Sequence, residues 1–387
     1  MIPIYLDYNA TTPVDPDVLA AMLPYLGGVH FGHFGNPSSS HSYGKAAHDA
    51  VERARQQVAE LLGAQPDEIV FTGGGTEASN QAIKGAFFAA FQGIFGHLFH
   101  KEVHAITTAV EHPATLQPLA FLKRLGCRVT ILGVDRFGRV DPSAVRGAVG
   151  RKTRLITVMH SNNEVGTLQP IREIAALAKE RGILLHTDAA QSLGKVPIDV
   201  NELGVDLLTL AGHKLYAPKG VGVLYVRRGT KLESFIHGAG HEGGRRAGTE
   251  NVPYLVALGT ACTLARQSLP AATEKLRRLR DRLWERLRAA LGERVVLNGH
   301  PQLRLPNTLN ANFVGHVGAE LLAAVPEVAA STGSACHEGS VVQSPVLCAM
   351  GVPPELGRGA VRLSVGRFTT EDEVDRAAEA LARAARK

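Results

Sequence analysis

Residues able to do chemistry follow several apolar segments of the chain, each at the point where the segment ends. Gly73–Gly75 follows the segment Ile69–Thr72 and precedes a helical pattern. Glycines let the backbone approach a ligand closely, and a helix N-terminus offers free N–H groups and the positive end of a dipole. Such a turn binds phosphate, and Thr76 can add a hydroxyl donor. The turn is not a P-loop, because no Gly-Lys-Ser/Thr follows at the required spacing.

An acid and an amine follow two further apolar segments. Asp188 comes directly after Leu184–Thr187, with Gln191 three residues on, and Lys214 follows Leu207–Leu210. Ligands of an open α/β sheet bind outside the carboxyl ends of its strands. We therefore expect the acid, the amine and the glycine turn to face one crevice. Together they describe a site for pyridoxal phosphate (PLP), in which the acid pairs with the ring nitrogen and the lysine forms a Schiff base.

Four other residues are candidates for the same site. His112 follows a strand candidate and could meet a cofactor ring, and Asn163 could donate to an oxygen. The guanidinium fork of Arg362 suits bidentate capture of a carboxylate, although each of these three residues alone is more often structural. Cys336 lies among small residues and glycines in the segment Ser331–Ser340, which predicts the accessible loop that a thiolate nucleophile needs.

The elements that must position these residues alternate along the chain. Apolar, β-branched segments separated by helical patterns predict a mostly parallel sheet with crossover helices. Seven strands are predicted, at Glu68–Thr72, Ala105–Ala109, Arg128–Leu132, Leu155–Met159, Leu184–Thr187, Leu207–Leu210 and Gly222–Val226. Helices are predicted between them, among them Gly44–Leu62, Thr76–Phe91 and Ile171–Arg181.

The pattern changes after about residue 256. A long charged helix at Ala271–Leu291 precedes shorter strands, and a closing helix begins at Glu371. We therefore expect a large α/β domain over residues 15–256. A smaller α+β domain would combine residues 1–14 with 257–387 and carry the cysteine segment.

Composition narrows the class of protein. Four cysteines in 387 residues are too few for a disulfide framework, and no CxxC pair indicates zinc, so we expect a reducing, cytoplasmic environment and no metal. Lysine and arginine number 42 against 36 acidic residues, a mild excess that favours anionic ligands without implying nucleic acid. No run of 18 apolar residues or signal-peptide pattern is present, so no membrane span is expected.

The motifs, in this order, resemble those of the cysteine desulfurases and selenocysteine lyases, which are class-V aminotransferase-like PLP enzymes. The resemblance covers nearly the whole chain. It implies fold type I of the PLP-dependent transferases, a large domain with a mostly parallel seven-stranded sheet and a small C-terminal α+β domain. The matching segments include Tyr5–Pro13, Gly35–Ser39, Thr72–Glu77, Glu111–His112, Asn162–Gly166, His186–Gln191, Gly212–Lys214, Arg246–Asn251, Gly333–Cys336 and Val361–Arg367.

The resemblance also implies a role for each site residue. Those in contact with PLP would be Lys214 as its covalent attachment, Asp188 at the ring nitrogen, Gln191 at the phenolic oxygen, His112 on the ring, Gly75, Thr76 and His213 at the phosphate, Asn163, and Thr249 from the other subunit of a homodimer. Those in contact with the substrate carboxylate would be Asn36, Asn163 and Arg362. Cys336 would be the nucleophile.

The activity implied is desulfuration of L-cysteine to L-alanine, with a persulfide on Cys336 for delivery to an acceptor protein, as in iron–sulfur cluster biogenesis. The segment around Ser344–Leu347 also resembles selenocysteine lyase, so release of selenide from L-selenocysteine stays open. Many members carry a serine where this chain has Ala211, which predicts weaker cofactor retention. A transaminase or racemase, a non-catalytic binding protein and a dinucleotide-dependent oxidoreductase are less favoured alternatives.

Overall fold

A computed structural model describes residues 2–28, 33–90, 103–332, 336–337, 340–341 and 343–386, with only the backbone of 336–337 and 340–341. Its strands are β1 Ile4–Tyr5, β2 Ile69–Thr72, β3 His104–Thr108, β4 Arg128–Leu132, β5 Thr153–Thr157, β6 Leu184–Asp188, β7 Leu207–Ala211, β8 Gly222–Val226, β9 Val295–Asn298, β10 Thr308–Phe313, β11 Val328–Ala329, β12 Cys336–His337, β13 Ser340–Val341 and β14 Ala360–Ser364. Its α-helices are α1 Pro16–Leu26, α2 Ser42–Leu62, α3 Gly75–Ala89, α4 Pro113–Arg124, α5 Pro142–Ala148, α6 Ile171–Arg181, α7 Val200–Leu203, α8 Val252–Leu291, α9 Gly318–Ala323, α10 Pro345–Ala349, α11 Pro354–Gly357 and α12 Glu371–Ala384.

The larger sheet has seven strands in the order β2-β8-β7-β6-β5-β3-β4. Strand β8 is antiparallel to both of its neighbours, and the other pairs are parallel. Strands β2 and β7 therefore run in the same direction, and six of the seven strands end at one edge of the sheet. The predicted seven-stranded, mostly parallel sheet is confirmed, and every predicted strand belongs to it.

Apolar side chains from both faces of this sheet form its cores. On one face Val58 of α2, Ile174 of α6 and Leu258 of α8 pack with Leu210 of β7. On the other face Ile83 of α3 packs with residues of α4 and of strands β3 and β5. Both faces are covered by helices, which explains why the strand sequences are nearly continuous apolar runs.

The smaller sheet is antiparallel, in the order β14-β10-β9. Its apolar residues form a second core with the C-terminal part of α8 and with α12, and Leu283, Leu309, Leu363 and Leu381 lie at its centre. The closing helix begins at Glu371 as predicted. A Thr370–Glu373 capping box fixes that start, because it satisfies backbone N–H groups on both sides.

Helix α8 differs from the prediction. It begins at Val252 rather than Ala271 and continues through Pro270 to Leu291. Its buried residues up to Ala265 belong to the large core, whereas those from Leu276 onward belong to the second core. The change of pattern after residue 256 therefore reflects a helix that passes from one core to the other. The division into two domains near this residue stays a proposal.

The described part of the chain contains neither a membrane-spanning helix nor a cluster of metal-binding side chains. None of the helices in the described part of the chain is long and apolar enough to cross a membrane. Within the same residues, no group of three or more His, Cys, Asp or Glu side chains is arranged to hold a metal ion.

Candidate active site

A cavity of about 440 Å³ lies at the edge where the parallel strands end. The side chains or backbone of nine residues singled out from the sequence line it. They are Gly75, Thr76, His112, Asn163, Asp188, Gln191, His213, Lys214 and Arg362. The chain brings these residues together because the segments that follow β2, β3, β5, β6 and β7 all begin at this edge.

One wall of the cavity is the N-terminus of α3. The residue before this helix, Gly74, has φ +148°, a backbone conformation that favours glycine, and it supplies no side-chain cap. The N–H groups of the first helical turn are therefore available to an anion. The acidic Glu77 in this turn accepts from Arg246 Nε and from the N–H of Gly73, both at 2.8 Å. This pairing offsets a negative charge that would otherwise repel a phosphate.

Lys214 reaches the cavity from a one-turn 3₁₀ helix, Gly212–Lys214, which follows β7. A side chain at Gly212 would place Cβ only 2.8 Å from Cγ1 of Val221, so the close approach requires glycine. The Lys214 Nζ donates to the backbone carbonyls of Asn9 at 2.5 Å and Ala10 at 2.6 Å. Burial and the nearby guanidinium of Arg362 lower the pKa of Lys214 to about 8, which brings the neutral amine within reach at physiological pH.

Asp188 is the last residue of β6, and its Oδ1 accepts from the N–H of Ala190 at 2.9 Å. Burial raises the pKa of its carboxyl group, so a cationic partner in the cavity would stabilise the carboxylate form.

His112 is the N-cap of α4, and its Nδ1 accepts from the N–H of Ala114 at 3.1 Å. Burial lowers the pKa of His112, which favours a neutral ring at the cavity wall.

Arg362 lies on β14 and brings the smaller sheet to the cavity. Its Nη2 donates to Asp7 Oδ1 at 2.8 Å and its Nη1 to the carbonyl of Asn163 at 3.1 Å. Its Nε is buried and has no hydrogen-bond partner among the described residues. The guanidinium is thus fixed at the cavity by two contacts.

Ala211 and His213 lie close to Lys214 and line the same cavity. Ala211 therefore faces the site at the position where the resemblance to the family predicts a serine. His213 shares a hydrogen bond of 3.2 Å between its Nδ1 and Thr11 Oγ1. Burial and Lys214 lower the pKa of His213 to about 4, so its ring is neutral and can still donate through one nitrogen.

Three predicted site residues are not placed at the cavity. Asn36 is exposed, and its side chain accepts from the N–H of Ser38 at 2.9 Å. Thr249 is also exposed and does not line the cavity. The backbone of Cys336 belongs to β12, which pairs with β13 in a short antiparallel hairpin rather than an irregular loop, and its side chain lies outside the described residues.

Sequence reasoning assigned no role to three residues at the site. Asn9 lines the cavity, and its backbone carbonyl accepts from both Gln191 Nε2 and Lys214 Nζ. Ser161 lines it too, and Lys195 lies behind Gln191. Asn9 is within a segment that resembles the family, but no local pattern shows that the start of the chain reaches the end of β7.

The donor set fits PLP. An uncapped helix N-terminus suits the phosphate, a buried carboxylate suits the ring nitrogen and an amine of lowered pKa suits the aldehyde. These groups line one cavity. Among the residues that the structure describes, Lys214 and Asp188 form no salt bridge: Lys214 donates to carbonyls, and Asp188 accepts from a backbone N–H. The fold and the site define the class of PLP-dependent enzymes built on a mostly parallel seven-stranded sheet.

Comparison with known proteins agrees with this class. Residues 4–377 match the family model for aminotransferase class-V. A solved structure described as a NifS-like protein superposes with a TM-score of 0.89 at 34% identity and covers 99% of both chains. A second, described as SspA in complex with cysteine, has a TM-score of 0.81 at 36% identity and covers 95% of this chain and 99% of its own.

Similar curated relatives indicate which branch of this family the chain belongs to. The cysteine desulfurase IscS of Dictyoglomus turgidum is 44% identical over 382 residues, which are 98% of this chain and 94% of the relative. The cysteine desulfurase IscS of Methanosarcina thermophila is 46% identical over 97% of this chain and 90% of its own. The chain belongs to the class-V aminotransferase family, in its cysteine desulfurase branch.

Proposed function

We propose that the protein is a PLP-dependent cysteine desulfurase that converts L-cysteine to L-alanine and carries the sulfur as a persulfide on Cys336. The observation that carries the proposal is the convergence at one cavity of the Lys214 amine, the Asp188 carboxylate, the α3 N-terminus and the Arg362 guanidinium. The IscS relatives support cysteine as the substrate, as does the cysteine-bound structural neighbour.

Each residue at the cavity has a defined task. The α3 N-terminus with Gly75, Thr76 and His213 would hold the phosphate of PLP, and Asp188 would stabilise a protonated ring nitrogen. Bound there, the cofactor would supply an acceptor for the electron pair left when the substrate Cα loses its proton. Lys214 takes that proton, and its pKa of about 8 suits a base at neutral pH.

The substrate carboxylate is bound by the small-domain side of the cavity. Arg362 offers a guanidinium that two contacts hold in place, and Asn163 lines the same wall. Asn36 would complete this subsite, although it is exposed in the single chain.

Cys336 supplies the nucleophile. Its thiolate attacks the substrate sulfur, an S–S bond forms, and the substrate Cβ–S bond breaks with its electron pair going to carbon. Proton transfer to that carbon completes L-alanine. The sum of L-cysteine and the Cys336 thiol equals L-alanine and the Cys336 persulfide, so the step requires no external oxidant.

Three features of the wider system belong to the same proposal. The protein acts as a homodimer in which Thr249 of one subunit reaches the phosphate of the other, consistent with its exposure in the single chain. An acceptor protein takes the persulfide sulfur, as iron–sulfur cluster assembly requires. The small number of cysteines supports a cytoplasmic location, where thiols stay reduced.

Measuring products side by side tests the proposal. PLP-loaded protein is supplied with L-cysteine or L-selenocysteine under reductant, and alanine, sulfide and selenide are quantified. We expect alanine and sulfide in equal amounts from cysteine. Selenide from selenocysteine alone would identify a lyase, a keto acid or a D-amino acid would identify a transaminase or racemase, and a colourless, inactive protein would reject PLP chemistry.

A further inference from the structure

A buried lysine that the proposed reaction does not use lies behind the cavity. Lys195 is only 6% exposed, and its Nζ lies 3.0 Å from Gln191 Oε1 and 3.3 Å from Asn9 Oδ1. Both partners are neutral oxygens on residues that line the cavity. Within the described part of the chain, Lys195 forms no salt bridge. A buried ammonium without a carboxylate partner is costly, which indicates that it serves a purpose at the site.

Lys195 determines how the Gln191 amide is oriented. Ammonium can only donate, so it requires the amide oxygen Oε1 to face it. On the other side, Gln191 Nε2 donates to the carbonyl of Asn9 at 2.9 Å, and a carbonyl can only accept. A reversed amide would lose both hydrogen bonds and place like-polarity groups against each other. The second N–H of Nε2 is therefore left for the cavity that Gln191 lines.

Two backbone hydrogen bonds hold the main chain of Lys195 against α8 and the segment that follows β6. The carbonyl of Lys195 accepts from Thr273 Oγ1 of α8 at 2.8 Å, and its N–H donates to the carbonyl of Ser192 at 3.1 Å. The charged groups that act on Lys195 are Lys214 and Arg362, both cationic. Burial, with these two charges, lowers the pKa of Lys195 to about 7.

We propose that Lys195 is a positioning residue, which holds the Gln191 amide with an N–H toward the cavity. Together, the pair stabilises an anionic oxygen of the bound ligand. This inference rests on the proposed function, where that oxygen is the phenolic oxygen of PLP. Lys195 acts through Gln191 and does not contact the cofactor.

The proposal predicts the direction of a spectroscopic shift. An N–H donated to the phenolic oxygen stabilises negative charge on that oxygen and so weakens its attraction for the proton of the cofactor's imine nitrogen. The pH midpoint at which that proton is lost, seen as a change in the visible absorption band of PLP-loaded protein, is therefore lowered. In Lys195→Met, which keeps the side-chain length, we expect the midpoint to rise by about one pH unit. Three other titratable residues, Asp188, His112 and Asp7, lie at or near the cavity, and the substitution leaves them unchanged.

The controls separate positioning from a general effect on the fold. The exposed Lys179→Met should leave the midpoint unchanged. In a Gln191→Leu background, Lys195→Met should shift the midpoint little further, because the Gln191 amide through which Lys195 acts is already absent. An unshifted midpoint in folded, PLP-loaded Lys195→Met would overturn the proposal. Should that variant fail to fold or to retain PLP, Gln191→Leu alone must raise the midpoint, and no rise there would also overturn it. A wild-type protein without any visible band would instead reject the proposed function.

Discussion

Two regions contribute to the candidate site in different ways. The edge of the seven-stranded sheet presents Asp188 and Lys214 at or directly after buried strands, where strand pairing fixes their positions. Segments outside this sheet carry Asn36 and Thr249, which are exposed and do not line the cavity of a single chain, and Cys336, whose backbone belongs to β12. Under the proposed function, the edge of the sheet supplies the cofactor chemistry, whereas these segments supply the nucleophile and complete the binding of the substrate carboxylate and the phosphate.

The largest expected effect comes from the sheet edge. Lys214→Ala removes the amine proposed to bind PLP and to accept the substrate proton, so we expect loss of the visible absorption band and a fall in alanine formation of about 10³-fold or more. Absorption spectroscopy and an alanine assay measure both. A variant that kept the band and the rate would show that the amine at this edge is not the cofactor lysine.

Cys336→Ala tests the other region. The visible band should persist, because the sheet edge is intact, while sulfur release from cysteine falls roughly 10²-fold or more. The matched control is Cys348→Ala, an exposed thiol in α10 that has no part in the proposed reaction. Equal rates of sulfur release by both variants would show that Cys336 is not the nucleophile. They would also contradict the assignment of different functions to the two regions.

Arg362 lies where the two sheets meet, so its loss should affect the substrate more than the cofactor. Arg362→Gln removes a charge-assisted contact with the substrate carboxylate, and we expect KM for cysteine to rise about 10- to 100-fold with a smaller change in kcat. Steady-state kinetics measure this, with the exposed Arg358→Gln as control. A fall in kcat with unchanged KM would assign Arg362 to another step.

The pH dependence of cofactor uptake examines the amine directly. Only the neutral amine attacks an aldehyde, and a pKa of about 8 means that neutral Lys214 increases about tenfold between pH 7 and 9 and then levels off. The rate at which apoprotein gains the visible band should follow this curve. A rate that kept rising toward pH 10 would indicate a lysine of ordinary pKa.

The smallest effect concerns the surface segment that carries Thr249. Loss of one hydrogen bond to phosphate in Thr249→Ala should weaken PLP retention about fivefold. Mixing this variant with Lys214→Ala and allowing subunits to exchange would create sites with intact Lys214 and a partner's Thr249. Recovered retention in such mixtures would support contact across subunits, and no recovery would assign Thr249 to its own chain.

The local sequence correctly predicted residues that line the cavity wherever functional side chains directly follow a strand. The apolar runs predicted all seven strands of the larger sheet, and eight residues near the ends of these strands line one cavity, together with Arg362 of β14. The local sequence was misleading at α8, where the change of pattern after residue 256 and the charged segment Ala271–Leu291 suggested a later start than Val252. Helix α8 continues through Pro270 because packing against the two cores holds the helix on both sides of this residue. Local helix propensity does not include such tertiary packing.

The order of residue types along the chain predicted the class of fold and the cofactor, because strand ends and glycine turns are local signals, and the resemblance of the motifs identified the family. It could not show that β8 runs antiparallel and so aligns β2 with β7, or that Asn9 meets Gln191, Lys195 and Lys214. The contacts of Asn9 join residues 182 to 205 positions apart. Such contacts arise only when separate elements pack, because sheet order and close packing are properties of the whole chain.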